Sequence, residues 1–359
     1  MRTSHTLKLT IGAVALLSVL GAACAGAAPI PAGPRTLKVL THSSFAITKS
    51  LIADFEKANN ATVQFVAGGD AGETLNKALL AKGNPLADVL YGVDNTFFSR
   101  AIAGDILEPY AAAALADIPA GLKLDPQNRL LPVDFGYVNL NYDKKYFRDK
   151  GLAVPTKLED LTKPAYKGLL VVENPATSSP GMAFLAATIG YFGESGSYTW
   201  EAFWQDLRKN DVLVVNGWNE AYSNEFSGAG KGKRPLVVSY ATSPALEVFF
   251  ASDPKPAEPP TGNILPDKGT FRQIEFVGVL KGTKEPELAR QFVDFMLGKL
   301  FQEDVPLQMG MYPANSKAML PDLFTRFAQV PVEPAPVDAK TIDEKRDAWI
   351  QKWTQLVLK

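Results

Sequence analysis

Histidine and cysteine are the residue types that this chain nearly lacks. Its 359 residues include one cysteine, Cys24, and two histidines, His5 and His42. A zinc site needs a cluster of these residues, and a Ser-His-Asp triad within the folded part would have to use His42. No G-x-S-x-G nucleophile elbow occurs. We therefore expect no disulfide, no zinc centre and no enzymatic activity, although counting residues does not exclude a site built from carboxylates alone.

Strong net charge and long apolar runs are missing as well. The formal net charge is −1 at pH 7, which gives no basis for nucleic-acid binding. The one extended apolar run, residues 9–20, follows the positive residues Arg2 and Lys8. This pattern predicts a secretory signal peptide over residues 1–23, too short to serve as a permanent membrane anchor.

Cys24 follows the sequence LGAA, roughly where a bacterial lipoprotein carries its lipidated cysteine. We expect lipidation there, with residues 24–35 as a flexible tether. The protein would then be exported, in the periplasm or on the outer face of the cytoplasmic membrane, and held there by its acyl chain. The alternative is ordinary cleavage near residues 27–28, without a lipid.

Strands and helices alternate along the rest of the chain. Strand-like runs at 36–45, 61–69 and 87–93 alternate with helical periodicity at 47–60 and 70–83. This order predicts an α/β protein with a parallel sheet.

Two long predicted strands, 133–143 and 271–280, enclose a second α/β block. Two such blocks predict two lobes with a cleft between them. Ligands of open α/β sheets bind outside the carboxyl ends of the strands.

The sequence NPATSSPG, residues 174–181, joins a predicted strand to a helix. Proline is favoured at the first helical position, which makes Ser179 the expected N-cap, preceded by Ser178. Free backbone N–H groups at such an end favour an anion or a polar ligand. The alternative is a plain helix cap.

The sequence GGDAG, residues 68–72, is a second turn of this kind. Asp70 is the expected N-cap of the following helix, and a ligand could reach the backbone amides at Ala71 and residue 72. A tight turn with a capping aspartate is the alternative reading.

Aromatic and acidic residues also gather at predicted strand ends. Trp218 and Tyr222 are four residues apart, so they can share one helix face. Aromatic rings beside carboxylates suit a flat organic cation, whereas core packing is the alternative for each ring. The residues concerned are Asp94, Asp134, Tyr137, Trp218, Tyr222 and Tyr240.

Eight short motifs span nearly the whole chain after residue 35. In order they are LTHSSF, GGDAGETLNKAL, PLADVLYGVDNTF, LLPVDFGYVNLNYD, NPATSSPG, NGWNEAY, VSYATSPA and MYPAN. In this order they resemble the thiamine-binding proteins of bacterial ABC importers. The resemblance implies an importer subunit that captures thiamine or its phosphate esters and docks on a membrane permease. We expect a monomer without a resident cofactor.

The resemblance also implies the two-lobe type II periplasmic-binding fold, with the ligand cleft between the lobes. Lobe 1 would comprise residues 36–133 plus 277–359, and lobe 2 residues 134–276. The two crossovers would lie near 132–140 and 270–278.

For the site, the resemblance places polar contacts at Ser178 and at the turn of Asp70 and Ala71. It places aromatic walls at Trp218 and Tyr240. Charge alone suggests Asp94 and Asp134 near the thiazolium or the aminopyrimidine, or else as helix caps. The full set predicted to bind the ligand is His42, Asp70, Ala71, Asp94, Asp134, Tyr137, Ser178, Ser179, Trp218, Tyr222, Tyr240 and Tyr312.

Three positions depart from the pattern of enterobacterial members. His42 and Leu246 stand where aromatic residues are expected, and Gly310-Met311 stands where a tryptophan is expected. The clamp therefore has fewer rings, which leaves the exact ligand open. A ferric-iron site using Tyr222, Tyr240 and His42 is one alternative. A secreted hydrolase using carboxylates is another.

Overall fold

One mixed β-sheet organises the chain in a computed structural model that describes residues 35–359. The predicted signal peptide and Cys24 lie outside the described residues. The strands found in this part of the chain are β1 (Arg35–Thr41), β2 (Ala61–Ala67), β3 (Val89–Asp94), β4 (Leu107–Glu108), β5 (Leu131–Asp143), β6 (Leu170–Glu173), β7 (Leu213–Val215), β8 (Leu236–Tyr240), β9 (Thr261–Ile264), β10 (Phe271–Leu280) and β11 (Tyr312–Pro313).

Helices cover the sheet and connect its strands. They are α1 (Lys49–Asn59), α2 (Ala71–Leu80), α3 (Phe98–Ala103), α4 (Lys144–Lys150), α5 (Ser179–Phe192), α6 (Trp200–Lys209), α7 (Ser243–Phe250), α8 (Pro286–Leu297), α9 (Lys299–Met309), α10 (Asp322–Phe327) and α11 (Ala339–Val357). Within residues 35–359, no helix has both the length and the apolar character needed to cross a membrane.

The sheet order is β2-β1-β3-β10-β5-β8-β6-β7. Its two outer parts are parallel, as the strand–helix alternation predicts, since β1 pairs in parallel with β2 and β3, and β6 with β7 and β8. The predicted parallel pairing does not extend to the centre of the sheet. There β10 runs antiparallel to β3 and β5, and β5 antiparallel to β8. The two long strands therefore join the two halves of the sheet.

Strands β3 and β6 are buried on both faces. All six residues of β3 and all four of β6 are buried, as expected where helices cover both sides of a sheet. Helix α5 is also buried, from Ser179 through Ile189. A helix that is apolar all round belongs inside a protein rather than on its surface, and α5 accordingly packs against β5, β6, β8 and β10.

Helix α11 contacts both halves of the chain. Its Trp353 meets Trp204 of α6 edge to face, with ring centroids 5.4 Å apart. Its Arg346 stacks over Phe97, with the guanidinium carbon 4.3 Å from the ring centroid. Residue 97 belongs to the predicted lobe 1 and residue 204 to the predicted lobe 2. The boundaries of the lobes stay a prediction.

Candidate ligand-binding site

A cavity of about 230 Å³ lies at the carboxyl ends of the parallel strands. This is the position expected for a ligand of an α/β sheet. Among its walls are five of the twelve predicted site residues: His42, Asp70, Ser179, Trp218 and Tyr240. Glu275 also lines it, and none of the described residues that line it is a lysine or an arginine.

Asp70 is the most heavily hydrogen-bonded carboxylate at this cavity. It caps α2 by accepting the Ala71 N–H at 2.6 Å, and it accepts the Trp218 N–H at 2.9 Å. The Ser178 hydroxyl and the Ser179 N–H also stabilise its charged form. Burial raises the pKa of Asp70, and these four donors oppose that rise.

This arrangement changes the interpretation of the α5 N-terminus. The sequence suggested that free N–H groups there could receive an anion of the ligand. The Asp70 carboxylate itself lies close to that end, since the Ser179 N–H lowers its pKa. The backbone N–H groups of the neighbouring turn also have partners already. The Ala71 N–H donates to Asp70, and the Gly72 N–H donates to the Thr177 carbonyl at 3.0 Å.

The predicted N-cap of α5 is wrong by one residue. Ser178 is the cap: its backbone is extended, and its side chain accepts the Gly181 N–H at 3.5 Å. Ser179 is already helical, and its hydroxyl accepts a hydrogen bond from Gln273 Nε2 of β10 at 3.0 Å. Ser178 is fully buried, whereas Ser179 lines the cavity.

Trp218 and Tyr240 form the aromatic wall of the cavity, with ring centroids 6.3 Å apart. Tyr222 lies behind Trp218 and stacks on it at 4.9 Å with an interplanar angle of 14°, so the two rings share a face, as their spacing predicted. The Tyr222 hydroxyl donates to Glu247 at 2.7 Å. Trp218 Nε1 donates to Ser239 at 2.8 Å, which fixes the indole plane.

A buried acidic cluster lies on the opposite side. The Tyr91 hydroxyl donates to Asp134 at 2.6 Å and to Glu275 at 3.2 Å. Burial raises the pKa of Asp134, and for Glu275 the nearby charge of Asp134 adds to the effect of burial. His42 lies beside this cluster, with Nε2 3.7 Å from Glu275 Oε1. Burial lowers the pKa of His42 to about 4, so its imidazole is neutral at pH 7.

Seven predicted site residues do not line the cavity: Ala71, Asp94, Asp134, Tyr137, Ser178, Tyr222 and Tyr312. Asp94 is fully buried and accepts both the amide and the hydroxyl of Thr96, at 3.1 and 2.7 Å. It does not cap α3, whose first residue is Phe98.

Tyr137 and Tyr312 belong to an aromatic cluster around Phe135. The Tyr312 ring stacks on Phe135 at 5.4 Å, and the Tyr137 ring meets it edge to face at 6.3 Å. Contact of these seven side chains with a ligand stays a prediction.

The sequence reasoning missed Glu275 and its neighbour Gln273. Both lie in strand β10 and are buried, whereas the third polar side chain of this strand, Arg272, is exposed. Residues two apart in a strand point to the same face, so the spacing of Gln273 and Glu275 was the available signal. At the three positions that depart from the family pattern, His42, Leu246 and Gly310-Met311 all line the cavity.

The mouth of the cavity is bridged by hydrogen bonds from distant parts of the chain. Ser44 Oγ donates to Asn219 Oδ1 at 3.0 Å, and Asn219 Nδ2 donates to Ser43 Oγ at 3.3 Å. Asp70 adds a third link through the Trp218 N–H. These contacts join the segments that follow β1 and β2 to the segment that follows β7.

A sheet crossed at its centre by two long strands, with a polar and aromatic cavity at the strand ends, defines a two-lobe solute-binding protein of type II. The chain belongs to the bacterial extracellular solute-binding protein family, whose profile matches residues 84–334. This family and fold are those of binding proteins rather than enzymes.

Individual relatives are similar over most of their length. The chain is 30% identical to the thiamine-binding periplasmic protein of Salmonella typhimurium over 336 residues, which is 92% of this chain and 96% of that protein. It is 30% identical to the Escherichia coli protein of the same name over 338 residues, 92% of this chain and 95% of that protein.

Solved structures give the same fold. A periplasmic thiamin binding protein superposes with a TM-score of 0.78 at 26% identity, covering 90% of this chain and 99% of its own. A ferric binding protein from Campylobacter jejuni superposes with a TM-score of 0.71 at 19% identity, covering 89% and 99%. The second likeness concerns the fold alone.

Proposed function

We propose that this chain is the exported solute-binding subunit of an ABC importer, that it captures thiamine, and that it delivers thiamine to a membrane permease. The observation that carries this proposal is the cavity itself. It combines the rings of Trp218 and Tyr240 with the carboxyl groups of Asp70 and Glu275, and no described lysine or arginine lines it. Aromatic faces attract a flat organic cation, and so does the Asp70 carboxylate, whose charged form is favoured by its hydrogen-bond donors. The names of the relatives add support.

The same geometry favours free thiamine over its phosphate esters. A bound phosphate needs N–H donors or basic side chains. At the α5 N-terminus the Asp70 carboxylate lies close to the Ser179 N–H, which lowers its pKa. A phosphoryl group placed there would meet this carboxylate and be repelled. We therefore expect thiamine to bind more tightly than thiamine monophosphate.

Native mass spectrometry of the protein purified without added ligand tests the proposal. We expect a one-to-one adduct with the mass of thiamine. Calorimetric titration with thiamine and with thiamine monophosphate then ranks the two ligands. A protein that is isolated bare and takes up neither would refute the thiamine proposal, while the assignment to the solute-binding family would stand.

The same preparation tests the alternative ligands. Among residues 35–359 no group of three or more histidine, cysteine, aspartate or glutamate side chains is arranged to hold a metal ion. Visible colour on adding ferric iron, without thiamine binding, would favour the iron alternative. Turnover of a thiamine phosphate or a glycoside would favour a hydrolase.

Replacing Trp218 tests the aromatic wall. Trp218→Ala removes a ring that stacks on Tyr222 and lines the cavity. We expect thiamine affinity to fall by about 1–3 kcal/mol, through lost cation–π attraction and lost apolar contact. Trp218→Phe, which keeps a ring but loses the hydrogen bond to Ser239, should lose less. Affinities equal to wild type in both variants, measured by calorimetry, would place the ligand elsewhere.

The arrangement of the lobes and the membrane anchor are part of the proposal. Residues 36–133 plus 277–359 would form one lobe and residues 134–276 the other, hinged at the central strands β5 and β10. Export would use the predicted signal peptide, and the acyl chain would be attached at Cys24. Metabolic labelling with a radioactive fatty acid, with Cys24→Ala as the control, tests the anchor.

A further inference from the structure

The orientation of His42 at the cavity wall is fixed by its neighbours. The residue follows β1 and is 9% exposed. Its ring packs against Tyr91 with ring centroids 5.5 Å apart, and its Cδ2 atom lies close to Gly92. Gly92 has a φ of +94°, and a Cβ at that position would collide with the imidazole. The close approach therefore requires glycine, and the ring has little freedom to turn.

The tautomer of His42 follows from one hydrogen bond. Its Nδ1 accepts the Ser44 N–H at 3.2 Å. A ring nitrogen that accepts a hydrogen bond carries no proton, so the neutral imidazole carries its proton on Nε2. Burial keeps the ring neutral, because it lowers the pKa of His42 to about 4. Nε2 is thus an N–H donor.

That donor has no hydrogen-bond partner among the described residues, although it is buried. The carboxyl oxygen Oε1 of Glu275 lies 3.7 Å from this nitrogen, which is beyond hydrogen-bonding distance. Buried N–H groups without a partner are rare in proteins, and each one calls for an explanation. Since His42 lines the cavity, a bound ligand can supply the missing acceptor.

Glu275 is the neighbouring half of this arrangement. Its Oε2 accepts from the Tyr91 hydroxyl at 3.2 Å, which holds the carboxyl group in place. Its Oε1 lies on the side of His42. The cavity wall therefore presents an N–H donor and a carboxyl oxygen side by side, both held by Tyr91.

We propose that His42 and Glu275 together bind the amidine edge of an aminopyrimidine, with His42 Nε2–H donating to a ring nitrogen and Glu275 accepting from the adjacent amino group. The two sets of groups are complementary. The cavity wall presents a hydrogen-bond donor beside an acceptor, and the amidine edge presents an acceptor beside a donor. The inference rests on the proposed function, since thiamine contains such an edge. It explains how a clamp with a histidine in place of an aromatic residue still orients its ligand.

The test compares thiamine with oxythiamine, in which a carbonyl replaces the amino group and the adjacent ring nitrogen carries a proton. This exchange reverses both hydrogen-bonding groups and leaves the thiazolium unchanged. We expect wild-type protein to bind thiamine at least about tenfold more tightly, since two mismatched hydrogen bonds cost on the order of a factor of ten or more.

Variants at His42 locate the effect. His42→Phe keeps a ring and removes the donor, so thiamine affinity should fall about tenfold while oxythiamine affinity changes little. His42→Gln restores an N–H donor and should recover part of the discrimination. A merely structural role for His42 would lower both affinities alike.

Nuclear magnetic resonance of the wild-type chain avoids dependence on the variants. His5 lies in the predicted signal peptide and His42 is the other histidine of the sequence, so with ¹⁵N-labelled histidine the imidazole signals of the processed chain belong to His42. We expect the Nε2 proton of His42 to shift downfield when thiamine binds, and to shift less with oxythiamine.

The outcomes separate the two proposals. Thiamine binding without discrimination, or without a change at His42 Nε2, would overturn the inference and leave the proposed function intact. Failure to bind thiamine at all would overturn both.

Discussion

At the scale of single residues, the buried carboxyl groups near the cavity differ in the protonation state that their neighbours favour. Asp70 accepts N–H groups from two different turns, which favours its charged form. Glu173 is fully buried, and neither of its oxygens has a partner among the described residues. Burial and the nearby charge of Asp70 raise the pKa of Glu173 well above its usual range. Negative charge is thereby concentrated on Asp70, where a cationic ligand can use it.

The effect of burial on the pKa of a carboxyl group can be tested at Asp94, through the pH dependence of protein stability. Burial raises the pKa of Asp94 from 3.8 to about 7. A carboxyl group with a raised native pKa contributes stability that is complete below its unfolded pKa and is lost as pH rises through its native value. Between about pH 4 and pH 7, wild type should therefore lose on the order of 4 kcal/mol of unfolding free energy relative to Asp94→Asn.

Urea denaturation of both proteins across this pH range measures the difference. Asparagine keeps an oxygen for the two hydrogen bonds from Thr96, so the comparison isolates the ionisation. Stability curves that run parallel between pH 4 and pH 7 would show that Asp94 titrates at an ordinary pKa.

At the scale of elements, the N-terminus of α5 contains both a helix cap and a residue that lines the ligand cavity. Ser178 caps the helix from a fully buried position, and Ser179 lines the cavity one residue later. A ligand that entered here would meet the Ser179 side chain, whereas Ser178 acts on the helix and on Asp70. The two serines are adjacent in sequence but have different roles.

Ser178→Ala should therefore act on stability without changing ligand preference. Losing an N-cap side chain costs about 1 kcal/mol, whereas glycine at the same position costs only a few tenths. We expect thermal unfolding to rank wild type above Ser178→Gly and Ser178→Ala last. The ratio of thiamine to thiamine monophosphate affinity should be unchanged in both variants, and a selective loss for the phosphate ester would restore the anion-site hypothesis.

At the scale of the whole molecule, the central strands link the two halves of the sheet. The register between β5 and β10 shifts between Glu275 and Phe276, and such bulges bend strands. At the cavity mouth, Asn219 bonds both Ser43 and Ser44. In the two-lobe proposal these bonds join the lobes, so they would contribute to the closed form alone.

Asn219→Ala should then speed the release of thiamine. Loss of two exposed hydrogen bonds is expected to raise the dissociation rate about fivefold to tenfold and to leave the association rate nearly unchanged. Stopped-flow measurement of tryptophan fluorescence, which Trp218 should dominate on binding, gives both rates. Ser223→Ala, at an exposed position four residues further along, is the control. An unchanged dissociation rate would remove Asn219 from the closing contact.

Local sequence patterns predicted much of this architecture, because each depends on neighbouring residues. The alternation of apolar runs gave the outer strands and most helices, and Asp70 caps α2 as its position before the helical pattern predicts. The four-residue spacing of Trp218 and Tyr222 predicted their shared face. The motif order gave the class of protein, which the family match and the fold confirm.

Only the tertiary structure decided which of these residues meet. No local pattern indicates that Asp70 reaches across to Trp218, 148 residues away, or that β5 and β10 pair antiparallel at the centre. Glu275 was missed because the role of a buried carboxyl group in strand β10 becomes interpretable only once Tyr91 and His42 lie beside it. The sequence by itself determined the elements and the class, since those follow from short-range periodicity and motif order. The tertiary structure decided the site, since its hydrogen bonds join distant segments.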